Sequence, residues 1–230
     1  MSHYVFERPR TGALHILGTR DLFPVGRIFC VGQNYADHAR EMGAKVAAET
    51  PIFFMKSGDL VAEDGAAIPY PPMTSNLHHE IELVAALSKG GADIPETKAL
   101  SCVFGYAPGI DFTRRDLQTA AKETGRPWDM GKNFDHAAPM GTIAPAKDLP
   151  EDLSRSRIYL SVNGVLKQNA HLSDMIWSVP KLVSILSRHI TLKPGDLIMT
   201  GTPAGVGPVK TGDKIDAGIE NIGDLSVTIV

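Results

Sequence analysis

Hydrophobic and polar positions alternate with a period of two along Asn76–Leu87. Ile81, Leu83, Ala85 and Leu87 fall on one face of the strand this predicts, and Glu80, Glu82, Val84 and Ala86 on the other. Both faces turn apolar just after Glu82, the mark of a strand covered on both sides with two like charges at one end. Val25–Val31, Pro51–Lys56 and Asp196–Met199 read as further short strands. Ile158–Val162, the pair Asn163-Gly164, and Val165–Gln168 predict a hairpin closed by a type I′ turn.

Helical spacing is confined to a few stretches. Ser178–Arg188 is amphipathic, with Pro180 in its first turn. A helix is expected from Arg114 to about Thr124, where Thr113 and Asp116 resemble a capping box and Gly125 with Pro127 forms the stop. Gly32–Gly43 predicts a short helix with Asn34 as candidate N-cap and Gly43 past its end. Residues 1–24 read as an N-terminal arm, and 25–230 as one catalytic body without repeats or linkers.

Composition sharpens this picture. Twenty-two glycines and sixteen prolines call for many tight turns and few long helices, so the chain is expected to be α+β and mainly β. A formal net charge of −3 leaves no electrostatic footprint for nucleic acid or an anionic membrane. No apolar run is long enough for a signal peptide or a membrane span, and Cys30 and Cys102 sit in apolar surroundings without metal-type spacing. Reduced core cysteines and a cytoplasmic location are the expectation.

Two buried glutamates at a strand end repel each other and are costly to desolvate without a cation. Glu80 and Glu82, joined by Asp111 where a second strand is expected to end, therefore suggest a divalent metal held through hard oxygens, against the commoner reading of a solvated edge. His78 and His79 alternate faces, so at most one can point with the glutamates; both are read as packing or supporting groups. His38 and Glu41, three apart on the short helix, are either a general-base pair or a solvated surface pair. Lys132, flanked by glycine and apolar residues, suits either a substrate carboxylate or enolate, or plain solvent. Thr200–Gly207 is a glycine-rich loop whose N–H groups could converge on an anion, or an ordinary turn, and it lacks the ending of a phosphate-binding loop.

Taken together, Gly32–Met42, His78–Leu83, Gly109–Gln118, Gly131–Phe134 and Gly195–Pro208 resemble the fumarylacetoacetate hydrolase family, in order and over about nine-tenths of the chain. Within it the chain is most similar to the short acylpyruvate hydrolases. Tyr70–Leu77 and Thr124–Lys132 resemble fumarylpyruvate hydrolases of gentisate breakdown, an aromatic catabolic route. The resemblance implies layered mixed sheets and a homodimer. It implies Mg²⁺ or Mn²⁺ on Glu80, Glu82 and Asp111, and a base dyad of His38 and Glu41 on a lid spanning residues 34–49. Gln118, Lys132 and Thr202 match positions that hold the oxo-acid end of the substrate, while Gln33 stands where many relatives carry arginine. The implied activity is hydrolysis of the C–C bond of an acylpyruvate, fumarylpyruvate first. Oxaloacetate decarboxylation, or isomerisation or decarboxylation of a 2-hydroxy-dienedioate, are the alternatives.

Overall fold

The strand Ile81–Leu87 is buried at every position, and its two faces enter two different cores. Ile81, Leu83, Ala85 and Leu87 join the larger core and Val84 and Ala86 the smaller, as the period-two pattern requires. In the computed structural model, which describes residues 3–7, 11–41 and 50–230, this strand lies inside a six-stranded mixed sheet. The order across that sheet is Ala144–Pro145, Val103–Ile110, Ile81–Leu87, Leu197–Met199, Arg27–Gly32 and Ile52–Ser57.

The larger core is closed by a five-stranded sheet and by the helix Val179–His189. Ile158, Leu160, Ile215, Leu225 and Val227 from that sheet, and Leu182, Val183 and Leu186 from the helix, pack with the inner face of the six-stranded sheet. Each fully buried Leu, Ile or Val of this kind contributes about 1.5–3 kcal/mol. The smaller core, on the opposite face, takes Ile28, Cys30, Leu197 and Met199. Leu14 and Phe23 seal it from a hairpin of Ala13–His15 with Leu22–Pro24. Both cysteines are free and buried, and burial pushes the Cys30 thiol up, which keeps it protonated and inert.

Among the described residues, strand makes up 39% and helix 21%, the mixed, sheet-rich layering expected. The hairpin of Arg157–Val162 and Val165–His171 turns through Asn163 and Gly164 at φ of 51° and 76°, both in the left-handed region a type I′ turn needs. Ser178 is the N-cap position of its helix, with proline in the first turn.

Two capping expectations are corrected. The helix at residue 115 runs Arg115–Glu123, with Arg114 at the N-cap position and no side-chain cap. Thr113 instead receives a hydrogen bond from Lys132, and Asp116 accepts from Thr74, Ser75 N–H and Leu117 N–H. The short helix starts at Ala36, and Asn34 does not cap it. Its amide bridges Trp177 and Thr200, accepting from Trp177 N–H and donating to both carbonyls, because tertiary partners satisfy all of its polar atoms. The end of that helix at Gly43, and the lid segment 42–49, lie outside the described residues.

Candidate active site

The carboxylates are brought together by backbone register. Ile81 pairs with Ile110 and Glu82 with Gly109 across two adjacent strands, so the chain reaches Glu80 and Asp111 at the same sheet end. Asp111 N–H donates to Glu80 C=O at 2.8 Å and locks the two side by side. There the chain leaves the large sheet, because Leu77–His79 pairs instead with Thr113–Arg114 and Gly207–Val209 in a small third sheet. The result is a buried trio of Glu80, Glu82 and Asp111 whose oxygens lie within 4.8 Å of one another.

Three cations surround two members of this trio. Lys132 Nζ donates to Glu80 at 2.8 Å, to Asp111 at 2.6 Å and to the Thr113 hydroxyl at 2.7 Å, so all three of its protons are committed. Arg115 pairs with the other oxygen of Glu80, and Lys56 Nζ lies 2.9 Å from Asp111 Oδ1. Burial pushes the Glu80 carboxyl up, but Lys132 and Arg115 outweigh it and hold the group well below the carboxylate range. For Lys132, burial lowers the pKa while Asp111 and Glu80 raise it further than burial lowers it, so the ammonium stays charged. Glu82 has no ion-pair partner among the described residues, and burial, then Asp111 and Glu80, push its carboxyl well up. Its one backbone donor is Gly201 N–H, at 2.7 Å.

His38 faces the same cleft, with Glu41 behind it. His38 Nδ1 lies 3.2 Å from Glu41, and the buried ring has its pKa lowered by burial, which Glu80 and Glu41 oppose only in part. The imidazole is therefore neutral near pH 7, with Nδ1–H directed at the carboxylate and Nε2 left as a base. Glu41 is in turn held by Gly205 N–H, 3.2 Å from both of its oxygens. The anion-binding capacity read from the glycine loop is thus spent on the protein's own groups, Glu82 through Gly201 and Glu41 through Gly205.

Gln118 and Thr202 line the cleft as well. The Gln118 amide oxygen accepts from Arg115 at 2.6 Å. Thr202 accepts from Gln168 at 2.8 Å, which leaves its hydroxyl proton for an acceptor in the cleft. All eight residues singled out from the sequence thus meet around one cavity, with Glu41 reaching it through His38.

Sequence reasoning missed Lys56, Arg115 and Gln168. Gln168 is fully buried: it accepts from Ile81 N–H and lies 3.0 Å from His79 Nδ1, and it donates to Thr202 and Pro203 C=O. The signal for Arg115 was its place seven residues before Lys122 and three before Gln118 on one helix face. Lys56 closes an apolar run and carried no signal of its own.

The trio fits a divalent cation. Its donors are all hard oxygens, clustered and buried, and Glu82 has no ion-pair partner among the described residues. A buried carboxylate metal centre at the end of a layered mixed sheet, with a histidine base beside it, is the site of an enzyme. Residues 27–230 match the family described as fumarylacetoacetate (FAA) hydrolase, C-terminal, and the chain belongs to it.

A crystal structure of fumarylpyruvate hydrolase from Pseudomonas aeruginosa in complex with Mn²⁺ and pyruvate matches with a TM-score of 0.97 and 46% identity, covering 99% of each chain. A fumarylpyruvate hydrolase from Ralstonia is 43% identical over 80% of this chain and 94% of its own length. A mitochondrial oxaloacetate tautomerase from Mus musculus is 45% identical over 85% of this chain and 87% of its own.

Proposed function

We propose that the protein is a metal-dependent acylpyruvate hydrolase that cleaves fumarylpyruvate to fumarate and pyruvate. The observation that carries this is the placement of His38, 3.2 Å from Glu41 and lining one cleft with the carboxylate trio and Lys132. A divalent ion on Glu80, Glu82 and Asp111 would supply positive charge for the oxo-acid oxygens. Gln118 and Thr202 orient the same end of the substrate. His38 Nε2 takes a proton from water, Glu41 stabilises the imidazolium, and the resulting hydroxide adds to the C4 carbonyl. The C3–C4 bond then breaks. Its electron pair becomes the pyruvate enolate, the water oxygen stays on the new carboxylic acid, and the imidazolium returns its proton to C3. Lys132, whose protons are all engaged, acts on the enolate through charge rather than through a free N–H.

The similarity to oxaloacetate tautomerases supports a second reading, because removing and returning a C3 proton uses the same base and yields the same kind of enolate. Pyruvate release from fumarylpyruvate and acetylpyruvate, set beside keto–enol exchange of oxaloacetate, in wild type, His38→Ala and Lys132→Ala separates the two. Hydrolysis should fall roughly a hundredfold or more in His38→Ala, with Lys132→Ala also impaired. Wild type that releases pyruvate from neither acylpyruvate while equilibrating the keto and enol forms of oxaloacetate would establish the tautomerase instead.

A further inference from the structure

The helix Arg115–Glu123 presents Arg115, Gln118 and Lys122 along one stripe, and all three line the cleft. Arg115 is paired with Glu80, and Lys132 across the cleft with Glu80 and Asp111. Lys122 has no acidic partner at ion-pair distance among the described residues. Its ammonium stands 4.7 Å from the centre of the Trp128 ring, that ring lies 5.8 Å from Phe54, and Phe54 lies 4.9 Å from Lys132 Nζ. The cleft therefore has an aromatic wall with a cation at each end, the inner one neutralised by carboxylates and the outer one at the rim not. Burial lowers the pKa of Lys122, and Arg115 and Lys132 lower it further by repulsion, which an arriving anion would relieve.

We propose that Lys122, backed by Trp128, is a subsite for a second carboxylate at the far end of the substrate. The cleft then selects oxo acids carrying a carboxylate at both ends over acyl chains that end in a methyl group. A flat conjugated chain lies against the Phe54 and Trp128 rings between the two charged ends. The proposal rests on the reading of this cleft as an oxo-acid site, but not on which reaction follows binding.

α-Ketoadipate and α-ketohexanoate have the same chain length and differ in the distal carboxylate, and neither carries a C4 carbonyl to be cleaved. Calorimetric titration of the Mn²⁺-loaded protein should show the diacid binding about tenfold more tightly, the scale of a charge-assisted hydrogen bond in a partly dry cleft. In Lys122→Met that ratio should fall to near one whatever happens to the absolute affinities, and Lys122→Arg should restore most of it. Added salt should shrink the wild-type ratio. Wild type without a preference for the diacid, or a preference that survives in Lys122→Met, overturns the proposal. If the preference survives while fumarylpyruvate is still cleaved, the subsite alone is wrong. If Lys122→Met abolishes the preference in a protein that cleaves no acylpyruvate, the subsite stands and the hydrolase reading falls.

Discussion

Lys56 keeps 1% of its surface exposed, and its ammonium is shared among Asp111, the Phe112 carbonyl and the Lys132 carbonyl. Removing that charge leaves Asp111 buried with less compensation and strips two backbone carbonyls of their donor. Lys56→Met should therefore cost about 3–5 kcal/mol, the penalty for breaking a buried pair from one side, and thermal unfolding will show it as a large fall in midpoint. A loss under about 1 kcal/mol, the scale of an exposed pair, would contradict this. The two glutamates beside Asp111 were legible in the sequence because strand parity fixes direction: Glu80 and Glu82 had to share a face, and that face had to be covered. Lys56 was not legible, because a lysine ending an apolar strand reads the same whether it points into a core or into water. Only the fold places Asp111 opposite it.

At the scale of the element, the loop Thr200–Gly207 ties the site together. Gly201 holds Glu82, Gly205 holds Glu41, and Thr202 is held by Gln168. Gly205 has φ of 95°, and a Cβ there would lie 2.1 Å from Lys167 C=O. Gly205→Ala is expected to lose roughly 1–3 kcal/mol of stability through backbone strain. It should also lower kcat, since the Glu41 donor moves with the backbone. Parallel measurement of unfolding and turnover tests both, and an alanine variant with unchanged kcat would sever the loop from the dyad. The glycines announced a loop able to bind anions. That the anions are the protein's own glutamates, from segments more than a hundred residues earlier in the chain, follows from strand order that no local pattern encodes. Local polarity also misled at Asn34 and Thr113, where a tertiary partner outcompeted the cap.

Across the whole molecule, two cores meet at one sheet, and the carboxylate trio sits at the end of its central strands, so the energetics of the site and of the fold are linked. Glu82 is the uncompensated member, so Glu82→Gln should leave the metal-free protein as stable as wild type or more so, because it removes a buried like charge. Wild type should gain about 2.7 kcal/mol at a hundredfold excess of Mn²⁺ over its dissociation constant, and the variant far less. Calorimetric unfolding with and without Mn²⁺ reads both. Equal gains would remove Glu82 from the ligand set.

The central claim is that water, activated by His38, is added across the C3–C4 bond of an acylpyruvate. Turnover of fumarylpyruvate in heavy-oxygen water, followed by mass spectrometry of the products, tests it most directly. The account predicts fumarate carrying one water-derived oxygen in its newly formed carboxylate, appearing in step with pyruvate and suppressed in His38→Ala. Fumarylpyruvate that persists uncleaved while oxaloacetate passes rapidly between its keto and enol forms would contradict it.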